Sequence, residues 1–404
     1  MSGSKKFPGL EFVVTAEKKD PETGCKMSPD IVVYLSGGKR VTRLIWSDIE
    51  IFIEWKRDVD ADGFRRTFSE GHVLDAPSVK ALESRGQIYS YAAQALNEQH
   101  RSCVFAVSIC SQFARLYRFD PSCVVVSEMI PFMETPAPLF EFFARFAAMT
   151  PAERGHDPTV VPATNAEKAL FRTRVKEYLE RVESKNLRKH PDVESLDYDK
   201  TVKIQVDDEV DGNTHTYLAC KPSSLHTNYS PCGRLSRGFI ATPISPPDPE
   251  HVSDAGSSDG SEDETDEIGR DWGKLFWLKD CWRSNSVESE ASIYRHLKLM
   301  GVEGLPVIRC AGDVLCGGTV QESLNDTLLD DPETSSWRTP THIIYHMIHY
   351  RLVSELLIPL HMVEDARELL LVGRDILNGE YGLDYDMAFT NYTFFIQHSL
   401  WHLM

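Results

Sequence analysis

Apolar and polar residues alternate in short blocks through the first third of the chain. In some blocks the apolar residues recur every two positions, which is typical of strands, and in others they recur with the longer period of a helix. Two strand-like runs, a helix, two more strand-like runs and a closing helix follow one another at 31–35, 49–55, 84–99, 103–110, 115–119 and 138–149. This order predicts an α/β domain with a mixed sheet over residues 1–150.

A charged amphipathic segment follows the first domain. Between Val160 and His190 its apolar positions recur with helical spacing and are flanked by Lys and Glu: Leu170, Val175, Tyr178, Leu179 and Val182. The pattern predicts a helical connector over residues 151–200. A surface helix belonging to either half of the protein is the alternative.

Strand-like runs resume near Lys203 and define a second region, 201–404. Strands are expected at TYLAC, GFIATPI, KLFWLKD, LPVIRCAG and HIIYHMIHYRLV, with helices at 287–300 and 363–377. Residues 245–270 interrupt this order with Pro, Ser, Gly and acid and almost nothing to bury, which predicts a disordered insert. The fold class expected for the whole chain is α+β.

The charge balance narrows the function classes. The chain has a net charge of −18, and nine acidic residues with no Lys or Arg lie between Ser245 and Glu267. A nucleic-acid partner or a membrane surface is therefore not expected. The sequence contains no apolar run of membrane-spanning length, no signal-peptide pattern and no CxxC pair, so an intracellular protein, cytoplasmic or nuclear, is expected.

The run LFWLKDCWR carries the most specific chemistry of the second region. Lys279 ends an apolar strand, and a predicted helix eleven residues later carries Glu290, with Glu288 as the alternative partner. A strand lysine held by a helix glutamate contacts nucleotide phosphates in protein kinases. Gly233 and Gly238 lie upstream without the full GxGxxG spacing. A surface ion pair and an ordinary turn are the alternatives.

The order GRLSRGFIA, LFWLKDCWR, EASIYRHL, GVEGLPVIRCAGDV and HYRLVSELLIPL resembles the fungal-type protein kinase family, over most of 217–375. The resemblance implies a kinase-like small lobe followed by the start of the large lobe. It also implies Ser/Thr protein kinase activity with ATP and Mg²⁺ as cofactors. Lys279 would be the phosphate lysine, Glu290 its partner, Gly233 to Gly238 a degenerate phosphate loop and 354–360 the hinge.

The sequence departs from that family after residue 380. No HRD tripeptide occurs, and no DFG-like aspartate follows, so the base and metal ligands of phosphoryl transfer are not found. The expectation is a domain truncated before its catalytic loop, with no catalytic residue assigned and little activity alone. A non-catalytic, pseudokinase-like interaction module is the alternative, with its protein partner unidentified.

A second pattern lies in the first domain. Pro29 and Asp30 begin one strand, and Glu54 and Lys56 end the next, which is similar to the PD…ExK pattern of nuclease-like folds. In those folds the two acids hold Mg²⁺ and the lysine stabilises the attacking water. Gln87 and Tyr91 would lie on the supporting helix. A chance match on a packing surface is the alternative to a Mg²⁺-dependent nuclease.

Overall fold

Two β-sheets, each covered by helices, organise the chain. The computed structural model describes residues 7–16, 18, 27–37, 44–64, 76–221, 230–244, 274–302, 305–324 and 345–358. The predicted insert at 245–270 and the predicted helix at 363–377 lie outside the described residues. The mixture of helices and sheets agrees with the expected α+β class.

The first sheet has six strands in chain order. Its strands are β1 (Leu10–Val14), β2 (Ile31–Leu35), β3 (Ile51–Lys56), β4 (Val104–Cys110), β5 (Phe113–Phe119) and β6 (Val124–Val126). Neighbours are antiparallel except β3 and β4, which are parallel because helix α1 (Val79–Glu98) crosses between them.

Apolar clusters lie on both faces of this sheet. Tyr91 of α1 packs edge-on against Phe52, with ring centroids 5.7 Å apart. On the other face, Phe143 and Phe146 of α2 (Ala137–Ala148) join a cluster with Ile51 and Val107. The apolar residues on the two faces of the central strands therefore pack against α1 and α2, which gives three layers, α/β/α.

The second sheet has seven strands in the order β12-β15-β11-β10-β9-β8-β7, and every neighbouring pair is antiparallel. Its strands are β7 (Val160–Pro162), β8 (Val202–Asp207), β9 (Thr214–Cys220), β10 (Arg237–Pro243), β11 (Phe276–Ser284), β12 (Ile308–Asp313) and β15 (Met347–Glu355). A small hairpin of β13 (Leu315–Cys316) and β14 (Thr319–Val320) follows β12. Helix α4 (Glu290–Leu299) lies between β11 and β12 in the chain.

The segment expected as a connector packs on the second sheet. Helix α3 (Asn165–Ser184) begins with a capping box between Thr164 and Glu167. Its Phe171 and Val175 are buried in a cluster with Leu218 of β9 and Ile240 of β10. The preceding strand β7 is hydrogen-bonded to β8. Residues 160–184 therefore belong to the part of the structure built on the second sheet.

Buried charges connect strands of the second sheet with the segment that precedes it. Asp280 on β11 accepts from Arg237 at 3.1 Å and lies 2.5 Å from His349 Nε2. Arg351 on β15 donates to Asp157, which lies in the segment between the sheets, at 2.5 Å. All of these residues except Arg237 are less than a tenth exposed. Buried charges are stabilising only when they remain paired, so this network fixes the relative placement of β11, β15 and residue 157.

Within the described ranges, no helix is long and apolar enough to cross a membrane. Several predicted elements differ in extent from the sequence expectation. Helix α1 begins at Val79 instead of 84. Helix α4 begins at Glu290 instead of 287 because Ser289 caps its N-terminus, accepting from Ser292 N. Strand β15 begins at Met347 instead of 342.

Replacing Asp280 with Ala should destabilise the protein by about 3–5 kcal/mol, because Arg237, Arg351 and His349 then lose a buried counter-charge. Burial raises the pKa of Asp280, but His349, Arg237 and Arg351 outweigh it and hold the pKa well below 3.8. The stabilisation by Asp280 is therefore fully present above the ordinary pKa of an aspartate and is lost as the pH falls through the lowered pKa of the folded state. Urea unfolding at several pH values measures both effects.

Asp199→Ala is the control, because its partner Arg172 lies 3.4 Å away and both side chains are more than half exposed. That variant should change the free energy of unfolding by less than about 1 kcal/mol. Equal effects of the two substitutions would contradict a structural role for the buried network.

Candidate functional site

Lys279 and Glu290 form an ion pair between β11 and α4. Lys279 Nζ lies 2.6 Å from Glu290 Oε2, and the side chains are 8% and 16% exposed. The Ser289 cap places Glu290 in the first turn of the helix, facing the sheet. Glu288 precedes the helix, is exposed, and contacts Ser292 instead. The structure therefore pairs Lys279 with Glu290 and not with Glu288.

Helix α4 is held against the sheet next to this pair. The Tyr350 hydroxyl accepts from the Ala291 N–H at 3.1 Å, and Ala291 packs with Cys281 and Leu352. Lys279 lies opposite Leu352 in the strand register. Arg234 provides a further cation, 3.7 Å from Glu290 Oε2. The carboxylate of Glu290 is therefore shared between a strand lysine and an arginine from the segment before β10.

Trp277 lies on the same face of β11 as Lys279, two residues earlier. Its indole lies over Gly238, which pairs with Lys279 in the register of β10 and β11. A methyl group on Gly238 would lie 2.0 Å from Trp277 Cζ2 and 2.5 Å from Cη2. Gly238 is thus required by the packing of the tryptophan, which is a common reason for glycine inside a strand.

The Trp277 indole also belongs to an apolar cluster. The cluster contains Phe171 and Val175 of α3 and Leu356 from the segment after β15. The His190 ring centroid lies 6.0 Å from that of Trp277. The space beside Lys279 on the β10 side is therefore occupied by the indole, which packs into this cluster.

Gly233 has a different environment. Its φ of +108° is one that glycine adopts readily, and no heavy atom lies within 4 Å of a Cβ placed there. Its N–H donates to Pro121 O at 2.8 Å, which links this segment to the first unit. The role of Gly233 and Gly238 as a phosphate loop stays a prediction.

A cavity of about 450 Å³ lies next to Glu290. It is bounded by the segment before β10, the end of β11, the first turn of α4 and the start of β15. Its lining is mostly apolar and includes the side chain of Glu290.

The first unit brings its predicted residues together at the ends of β2 and β3. Lys56 Nζ lies 2.7 Å from Glu54 Oε1 and 2.8 Å from Gln87 Oε1. Gln87 donates to the Tyr91 hydroxyl at 2.6 Å, and Asp30 Oδ2 accepts from the Trp55 N–H at 2.8 Å. One strand pair and helix α1 therefore place two acids, a lysine and an amide in one group.

Glu54 is the most perturbed member of this group. Burial raises its pKa, the negative charge of Asp30 raises it further, and the hydrogen bond from Lys56 opposes both. Glu54 is 2% exposed, and within the described residues its Oε2 is buried without a hydrogen-bond partner. An unpaired buried carboxylate oxygen is costly and is suited to a cation.

Residues 31–190 match the family model described as fungal protein kinase. The match covers about two fifths of the chain, from β2 to the end of α3, and supports a kinase-family relationship. It does not include Lys279 or Glu290. Neither the curated proteins nor the solved structures searched contain a match to the chain.

Sequence reasoning missed two residues at the Lys279 site. In the kinase pattern V-A-I-K a small residue precedes the lysine by two positions, whereas this chain has F-W-L-K with Trp277 there. That difference, together with the glycine inside the neighbouring strand, could have predicted the packing of Trp277. No sequence pattern could have predicted the contact of Arg234 with Glu290, because it depends on the path of the segment before β10.

Gly238→Ala should destabilise the protein by about 1–3 kcal/mol, because the new methyl group overlaps the Trp277 indole. Thermal and urea unfolding measure the change. Gly86→Ala is the control: Gly86 is an exposed residue of α1 with nothing within 4 Å of its added Cβ. There alanine should be neutral or stabilising by up to about 1 kcal/mol. A Gly238→Ala variant as stable as Gly86→Ala would contradict the indole placement.

Proposed function

We propose that this chain is a kinase-like protein whose second sheet and α4 correspond to the small lobe of a protein kinase. The contact between Lys279 and Glu290 carries the proposal. A strand lysine paired with a glutamate of the following helix is the arrangement that protein kinases need for phosphate positioning. The family match on 31–190 supports the same relationship from a separate part of the chain.

ATP and Mg²⁺, which the family resemblance implies, fit this site only in part. Lys279 offers a charged contact for phosphate, held in place by Glu290. The Trp277 indole occupies the space beside it where a base would extend. No HRD or DFG-like segment supplies a catalytic base or metal ligands in these 404 residues. The proposed activity is therefore that of a kinase-like module without phosphotransfer of its own.

A phosphotransfer assay tests this proposal. The purified 404-residue chain, incubated with radiolabelled ATP, Mg²⁺ and a general Ser/Thr acceptor protein, should incorporate no more label than Lys279→Met. The physical reason is that no positioned base or metal ligand neutralises the transferring charge. Incorporation that Lys279→Met abolishes would show that the chain is an active kinase.

A second candidate function belongs to the first unit, where Asp30, Glu54, Lys56 and Gln87 lie together. The buried, unpartnered Oε2 of Glu54 favours it. Two carboxylates with water would suit Mg²⁺, which prefers oxygen ligands. When bound, the cation would polarise a water or a phosphodiester. Lys56, oriented by Glu54 and Gln87, would stabilise the attacking water in a nuclease reaction.

Mg²⁺ binding and its pH dependence test the second candidate. Wild-type protein should bind Mg²⁺ near neutral pH in calorimetric titration, and Glu54→Gln should weaken binding by at least about tenfold, since it removes an anionic ligand. Because the Glu54 pKa is raised, protons should displace the cation at a higher pH than an ordinary glutamate would allow.

Asp58→Asn is the matched control, because this partly exposed acid pairs with Lys80 outside the Glu54 group. It should leave Mg²⁺ binding unchanged. Plasmid DNA is then incubated with the protein and Mg²⁺. Intact DNA together with absent Mg²⁺ binding would remove the nuclease hypothesis.

A further inference from the structure

The side of Lys279 that faces β10 is closed by the protein itself. A nucleotide whose phosphates contact Lys279 must extend its ribose and base along the same face of the sheet. On that face the neighbour of Lys279 along β11 is Trp277, and its neighbour across the ladder is Gly238. The indole lies over Gly238, and a Cβ on that residue would overlap the indole.

Trp277 belongs to a larger apolar cluster. Helix α3 contributes Phe171 and Val175 to it, the segment after β15 contributes Leu356, and the His190 ring lies beside the indole. Leu356 lies in the stretch 354–360, where the family resemblance expects the hinge that contacts adenine. Within this cluster the Trp277 indole is the group that lies over Gly238, which pairs with Lys279 in the ladder.

A cavity lies next to Glu290. It has a volume of about 450 Å³ and is lined by Glu290 and the segment 232–234, and neither Lys279 nor Trp277 is among its lining residues. The side chains of Lys279 and Glu290 are 8% and 16% exposed. The indole therefore occupies the face beside Lys279, whereas it takes no part in the cavity next to Glu290.

We propose that Trp277 is the specificity-determining residue of the Lys279 site, and that its indole excludes the base of an adenine nucleotide. The inference rests on the proposed kinase-like function, because it takes Lys279 as the phosphate contact. The site in this conformation therefore carries the kinase ion pair without a nucleotide-binding slot. Removing the indole opens that slot next to Gly238.

Calorimetric titration of the full chain with MgADP tests the proposal. Wild type should show no saturable binding at millimolar nucleotide, and Trp277→Ala should bind at least about tenfold more tightly. Trp277→Phe is the matched control, since it keeps a ring over Gly238, and it should behave as wild type. Adding Lys279→Met to Trp277→Ala should abolish the gain.

Pyrophosphate is the second probe, because it has the phosphates but no base. Trp277→Ala should leave pyrophosphate binding within about twofold of wild type. An equal gain for pyrophosphate and MgADP would overturn the proposal, since the indole would then not act on the base. Each variant is first compared with wild type by circular dichroism and thermal unfolding. Trp277→Val, whose β-branched side chain suits a strand, replaces Trp277→Ala if that variant does not fold.

The outcomes separate this inference from the function on which it rests. Wild type and Trp277→Ala binding MgADP equally, in a manner that depends on Lys279, would overturn the role of Trp277 and leave the kinase-like function standing. Failure of every folded variant to bind MgADP would count against both.

Discussion

The structure depends on keeping a buried network of charged and polar groups paired on the second sheet. Asp157 and Asp280 are each 5% exposed or less, and they face Arg351 and His349 from β15. Because an isolated charge in this environment would cost several kcal/mol, any movement of β11, β15 or residue 157 that separates these groups is strongly opposed. Trp282, stacked on His349 at 4.7 Å, extends the contact into the apolar cluster of the first unit.

This constraint explains the run from Lys279 to Trp282. Residues of a strand alternate between faces, so Lys279 and Cys281 face α4, whereas Asp280 and Trp282 face the first unit. The lysine can be positioned for phosphate only if the strand is fixed in register, and the alternate residues provide that fixation. The run from Lys279 to Trp282 therefore contributes both to the candidate site and to the packing of the second sheet on the first part of the chain.

The sequence predicted those features that depend on short-range pattern. Strand and helix periodicity placed β2 to β5 and α1 to α3, and motif spacing placed Lys279 against Glu290. It could not predict that α3 packs on the second sheet, because an amphipathic stripe does not specify its partner. The contact between Asp157 and Arg351 could not be predicted either, because the two residues are far apart in the chain and no local pattern links them.

Two buried acids show why composition alone does not assign chemistry. Burial raises the pKa of both Glu54 and Asp280. At Asp280, two arginines and the hydrogen-bonded imidazole of His349 reverse that effect, so the carboxylate stays charged and its oxygens stabilise the fold. Glu54 has one cation, Lys56, and a neighbouring acid, Asp30, so its charge remains under-compensated. A carboxylate whose charge is balanced by the protein has little to offer a ligand, whereas an under-compensated one gains from a cation. On this argument, of these two buried acids Glu54 is the candidate for metal chemistry and Asp280 is not.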